Sequence, residues 1–258
     1  MIQNLAADAV DGSDSPAAIA KPIATPIAIS PAIDAAIDRL SPRLAVIARA
    51  SYQDWTAATW DDFLAIAGEQ EPDGLPQTQA YFYQSQIKLE MNPLGKDHGR
   101  FNNAPLDVVS LFAAFQQLRI VRYINTTLRK TGQKECQPDV SIYIGEVACL
   151  PPSGNEVIDL DQSDPPSLVV EISASSIADD IGVKRMLYEN LGVREYWVID
   201  TRKRSLIAFS IADGRSGVIR QSEVLPGLDL AIVEEALRRT DDNDDAAITR
   251  WLIETFNR

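Results

Sequence analysis

Glu171 stands between Val170 and Ile172 in the run Ser167–Ser173, SLVVEIS. Length and branched side chains make this run a buried strand. A carboxylate inside it costs several kcal/mol unless it is paired or bound to a metal. Lys184 repeats the oddity in the next segment. Ile177, Ile181, Tyr188 and Leu191 mark one apolar helix face, and Lys184 lies on that same face. Asp139 opens a third segment after Pro138. There Asp139, Ser141 and Tyr143 share one strand face, and Val140, Ile142 and Ile144 share the other. Two acids on strands and one base on a helix therefore point into one layer. They can neutralise each other as a buried ion pair, or the acids can hold a cation and the base an anion.

The elements that must position these groups are legible nearby. Ser176 offers an N-cap oxygen, Asp179 follows three residues later as in a capping box, and Gly192 offers the stop. Tyr196–Asp200 is a second apolar run of strand type. A strand, a helix of about four turns and a strand make a βαβ unit with parallel strands. Lys184 sits about seven residues into that helix, about 10 Å along its axis. The helix runs back over the first strand, and Glu171 lies only two residues inside that strand's end, so the two can meet.

The wording around these residues is more specific than their types. Pro138-Asp139, then LVVEIS, then SxxxxDxxxKxxxYxxxGVxEYWVID, then VLPGLDL resemble the Uma-two family of restriction endonucleases, within the PD-(D/E)XK nuclease superfamily. The resemblance spans roughly residues 60 to 235. It implies an α/β, restriction endonuclease-like fold: a mixed, mostly antiparallel central sheet flanked by helices, with Val140–Ile144 beside Leu168–Ile172. It implies metal-dependent hydrolysis of DNA phosphodiesters. Asp139, Glu171 and the Ile172 carbonyl would hold Mg²⁺ or Mn²⁺, hard ions that prefer oxygen. The ion would activate water and stabilise charge on the phosphate. Lys184 would fix the same water or a phosphate oxygen. The chain departs from the superfamily in one place. Ser173 stands where a lysine is expected two residues after the Glu, and Lys184 on the helix takes over.

The resemblance also points to Glu90 and His98 in LEMNPLGKDHG. Glu90 is a further metal ligand or an outer-sphere base. His98 is a proton carrier titrating near neutrality, or a solvated loop histidine. Ser173, Ser175 and Ser176 have no activating base in their own stretch, which argues against a serine nucleophile. Tyr188 and Trp197 read as core, and Asp200 as a turn acceptor.

Composition sets outer limits. The chain has 258 residues, 45% of them apolar, a net charge of −13 and a pI of about 4.5. Such charge argues against non-specific coating of nucleic acid, though not against a local basic patch. It also favours a second reading, a catalytically inactive nuclease-fold module that binds protein or nucleic acid. An open, positively rimmed cleft holding Asp139, Glu171 and Lys184 would separate the two. Cys136 and Cys149 suggest neither a disulfide framework nor a zinc site, and a reducing, cytoplasmic setting is expected. No apolar run is long enough to span a bilayer, and the start lacks the pattern of a signal peptide.

Residues 1–31, rich in Ala and Pro, read as a flexible arm, and 32–258 as a single nuclease-like domain with an acidic helical tail. The arm's isoleucines suit contact with a second copy. A C₂ homodimer would cut both strands of a duplex. Helices are expected over 31–50, with a kink at Pro42, and over 59–67, 104–118, 233–238 and 246–256. Further strands are expected over 80–91, 120–125, 205–211 and 217–223, with a turn at Asp213-Gly214. Residues 92–103 read as a loop and 145–166 as an exposed insertion.

Overall fold

The computed structural model describes residues 27–68, 75, 78–91, 96–146, 150–242 and 244–257. Most of the expected arm, residues 1–26, lies outside them, as does Cys149.

The first expected helix is two helices, α1 (Pro31–Ile37) and α2 (Pro42–Gln53). Pro42 cannot donate to a preceding turn, but it fits the first position of a new helix. Ser30 and Ser41 cap the two, accepting from the amides of Ile33 and Leu44. After the short β1 (Thr56–Ala57), α3 (Trp60–Ala67) starts at a capping box of Thr59 and Asp62, as its sequence suggests.

The expected single strand over 80–91 is a hairpin, β2 (Thr78–Tyr83) and β3 (Gln86–Met91). Gln84 and Ser85 both have left-handed backbones, φ 49° and 56°. That is the geometry of a two-residue type I′ turn, here built without Gly or Asn. Unbroken alternation across the turn hid it from the sequence.

α4 (Lys96–Phe115) starts inside the expected loop and continues through Pro105. Phe101 and Ala104 join the core, so packing favours helix in a stretch that reads as loop. Then come β4 (Ile120–Ile124), β5 (Leu128–Lys130), β6 (Lys134–Cys136), β7 (Val140–Ile144), β8 (Ile158–Asp159) and β9 (Leu168–Ser173). β8 ties part of the insertion to β5. The segment after β9 winds as α5 (Ile177–Asp179), a kinked turn (Asp180–Lys184) whose Gly182 is not helical, and α6 (Arg185–Leu191). The chain closes with β10 (Glu195–Asp200), β11 (Ser205–Ala212), β12 (Arg215–Ile219), α7 (Ala231–Arg239) and α8 (Asp245–Phe256). β12 starts earlier than expected. Asp213 and Gly214, φ 52° and 67°, turn so tightly that Arg215 pairs directly with Ala212.

The central sheet has the order β12-β11-β10-β9-β7-β4. Only β9 and β10 run parallel; the other pairs are antiparallel, and Val140 lies opposite Val170. This is the mixed α/β architecture expected from the sequence, a mostly antiparallel central sheet flanked by helices. A second sheet, β1-β3-β2-β6-β5-β8, was not anticipated. Its strands are mostly short, and their pairings join distant segments.

Three apolar clusters hold these layers. One face of the central sheet, with Ile142, Val170 and Trp197, packs on α4, α7 and α8. The other, with Val169, Tyr196 and Val198, packs on α6 and on Tyr81 and Tyr83. Phe82, Ile87 and Leu89 face α1–α3. The β2–β3 hairpin is thus buried on both sides. Lys88 and Glu90 are paired across from Tyr81 and Gln79, so they share the face turned toward the central sheet.

Candidate active site

The two strand acids meet because β7 and β9 are neighbours. Asp139 Oδ2 accepts from the amide of Ile172 at 2.7 Å, and the Asp139 amide donates to Glu171 Oε2 at 3.4 Å. Tyr188 Oη donates to Glu171 Oε1 at 2.6 Å. Each carboxylate residue is only 3% exposed. Burial pushes the Glu171 carboxyl well above the usual range. Lys184 opposes that shift, while Asp139 and Asp180 add to it.

Lys184 reaches the same place but takes other partners. Its ammonium lies 2.7 Å from Glu90 Oε2, 3.0 Å from Asp180 Oδ1 and 3.4 Å from Tyr81 Oη. It also sits 4.4 Å from the centre of the Tyr81 ring, within cation–π range. The Asp180 contact is ionic, without hydrogen-bond geometry. Burial alone would lower the Lys184 pKa. Glu90, Tyr81, Glu171 and Asp180 outweigh it and hold the group well above its usual value. Glu90 itself is raised by burial, against the pull of Lys184.

A kink explains why the helix face differs from expectation. Gly182 leaves helical geometry (φ −100°, ψ −105°), so the residues before and after it do not share one continuous helix face. Ile181, expected in the core, is exposed, whereas Asp180 and Lys184 are buried. Tyr196 Oη donates to the Asp180 carbonyl at 3.0 Å beside the kink. The expected capping bond from Ser176 is absent. Its hydroxyl donates to Asp180 Oδ2 at 2.7 Å instead. Asp180 is the site residue that sequence reasoning missed. Its signal was present, an acid four positions before a buried lysine.

These groups line one cleft of about 600 Å³ between the β2–β3 hairpin and the βαβ unit. Asp139, Glu171, Ile172, Lys184 and Glu90 all lie on it. His98 falls in α4, and its side chain is outside the described residues. A positive rim, the feature that would separate the enzyme from the inactive module, is not found among the described lining residues. Six acids (Asp54, Glu90, Asp139, Glu171, Asp179, Asp180) face the cleft with two lysines, Lys88 and Lys184. Those acids come from separate segments, so no single stretch of sequence announces their sum.

The donor set suits a hard divalent ion. Asp139, Glu171 and the Ile172 carbonyl offer oxygen only, and the buried acids repel one another without a cation. No three His, Cys, Asp or Glu side chains among the described residues form a ready metal cluster. Mg²⁺ commonly binds through one or two carboxylates and keeps several waters, so two acids suffice.

Three other readings concern the scaffold. Tyr188 and Trp197 are fully buried, as expected of core residues. Asp200 accepts from the amides of Arg202 and Lys203 and closes the turn. Glu195, a fixed letter of the family motif to which the sequence assigned no role, is buried and accepts from Trp197, Ser222, Glu223 and Val224. It pins the 222–224 loop from the opposite face of the sheet.

Residues 60–243 match the Uma2 family model, described as "Putative restriction endonuclease". The chain belongs to the Uma2 family. The resemblance seen in the motifs is therefore one of membership, and the matched residues include Glu90, Asp139, Glu171 and Lys184. A crystal structure described as "a putative nuclease belonging to DUF820", from Anabaena variabilis, is similar at 17% identity and a TM-score of 0.48. The similarity covers 69% of this chain and 98% of that one. No curated protein matches this Uma2 member significantly. Among its described residues, no helix is long and apolar enough to cross a membrane.

Proposed function

We propose that the protein is a metal-dependent endonuclease hydrolysing DNA phosphodiester bonds in the cleft of Asp139, Glu171 and Lys184. One observation carries this reading: acids on adjacent strands and a charged lysine converge, almost fully buried, on one cleft. Perturbed groups gathered in a cleft mark functional sites more often than structural ones. Asp139, Glu171 and the Ile172 carbonyl would hold Mg²⁺ or Mn²⁺. When bound, the ion supplies an activated water and neutralises charge on the phosphate. Lys184 contributes a fixed positive charge that orients a phosphate oxygen or the attacking water. Glu90, beside it, serves as an outer-sphere base or a further ligand. His98 serves as a proton carrier. A homodimer joined through the arm, in the cytoplasm, completes the proposal. Light scattering with and without residues 1–31 tests the dimer, and a monomer at micromolar concentration removes it.

The acid-rich lining favours a second reading, an inactive nuclease-fold module that binds protein or nucleic acid. Lys184 is already neutralised by Glu90 and Asp180, as it would be in a silent site. Incubation of several DNA forms with Mg²⁺ or Mn²⁺ decides between the two. Cleavage that chelator and Glu171→Gln both abolish supports the enzyme. No cleavage of any form, with a correctly folded protein, supports the module.

A further inference from the structure

We infer that the strand reaching this cleft is a single, unpaired one, such as an end, a loop or a bubble, and not the intact face of a duplex. The inference rests on the nuclease reading and names the substrate form for the same site. Depth is the first argument. Asp139 and Glu171 are 3% exposed, Lys184 2% and Asp180 1%, so the reacting groups lie at the floor of the cleft. A duplex is a stiff rod, with a persistence length of about 50 nm, and it cannot bend a phosphate into a narrow recess at small cost. An unpaired strand can be threaded or flipped into one.

The walls supply the second argument. Lys88, on the hairpin, lies 3.4 Å from Asp179 Oδ2, on the helix side. Trp55 Nε1 donates to Asp179 Oδ1 at 3.3 Å. The two sides of the cleft are thus tied together beside the site and do not splay into a broad groove. The cleft's volume of about 600 Å³ falls in the range of small-molecule pockets.

Charge and chemistry of the lining agree. Duplex binding rests on tracks of Lys and Arg along dense phosphates, and the described lining has only Lys88 and Lys184, both in ion pairs. Of the remaining wall, Met91 is exposed and offers an apolar surface suited to a base face. A single-strand substrate also removes the two-strand cut as a reason for a dimer.

The test uses the full chain and three DNAs of one sequence: a single strand, an intact duplex, and a duplex with a central unpaired bubble. Cleavage is followed with Mn²⁺, and binding by fluorescence anisotropy with Ca²⁺. The single strand and the bubble should be cut, the bubble only within its unpaired stretch. The intact duplex should be cut at least about tenfold more slowly. Equal cutting of the intact duplex overturns the inference. If no DNA is cut, the nuclease reading fails by itself, and binding decides the strand preference. Single-strand binding at least about tenfold tighter than duplex sustains it; equal, reversed or absent binding overturns it. Asp179→Ala, which unties the walls, should bring duplex binding closer to that of the single strand. An unchanged gap in that variant would overturn the closed-mouth argument.

Discussion

Lys184 Nζ lies 3.0 Å from Asp180 Oδ1, its neighbour four positions back across the kink at Gly182, while both side chains are almost wholly buried. The ammonium touches Asp180 and Glu90 and also acts strongly on Glu171, so the site's charges must be tested together as well as singly.

Glu171→Gln should abolish metal-dependent cleavage and leave the fold intact or slightly more stable. Burial and the nearby acids already favour the neutral form of Glu171 when no metal is bound, so the amide relieves repulsion at little cost. The parent should gain melting temperature on adding Mg²⁺, about 2.7 kcal/mol of stability at a hundredfold excess over Kd, and the variant should not. Equal Mg²⁺ responses in parent and variant would exclude Glu171 as a ligand.

Stability should depend on pH with a definite sign. Glu171 and Glu90 both have folded-state pKa values raised above the ordinary 4.5. Their stabilising contribution is full below 4.5 and is lost as pH rises through the raised values. The metal-free protein should lose melting temperature over that rise, and Glu171→Gln should flatten the loss. Parallel curves for parent and variant would contradict the assignment.

Lys184→Met should destabilise by about 3–5 kcal/mol, because it strands buried Asp180 and half-buried Glu90 without their counter-ion. Cleavage should vanish, but the Mg²⁺-induced rise in melting temperature should persist, since Lys184 does not hold the ion. Adding Glu90→Gln should recover part of the stability, with a coupling of about 0.5–3 kcal/mol. Strictly additive effects in denaturant titrations would count against the ion pair.

The β2–β3 turn offers a prediction away from the site. Gln84 and Ser85 hold left-handed backbones that Asn and Gly adopt more readily. Replacing both, Gln84→Asn with Ser85→Gly, should raise stability by about 0.5–2 kcal/mol without altering Mg²⁺-dependent cleavage. A lower denaturation midpoint would show that the turn is not of this type.

The sequence by itself determined the βαβ block and the capped α3, through local signals: a period of two, a Pro or Gly at an element's end. The placing of Asp139 beside Glu171 was implied by the family resemblance, and the β7–β9 pairing bears it out. Tertiary structure decided the rest. Lys184 pairs with Glu90, 94 residues away, only because the hairpin docks its Lys88–Glu90 face on the βαβ unit. Its contact with Asp180 follows the ordinary spacing of four; what the spacing does not record is the kink at Gly182, beside which Ile181 is exposed. The hairpin turn lacks Gly and Asn and leaves alternation undisturbed, so only the backbone angles of Gln84 and Ser85 reveal it. The cleft's acidic character is likewise a sum over segments that meet only when folded. Charge adds through space while sequence lists it along the chain, and so the lining was settled by packing alone.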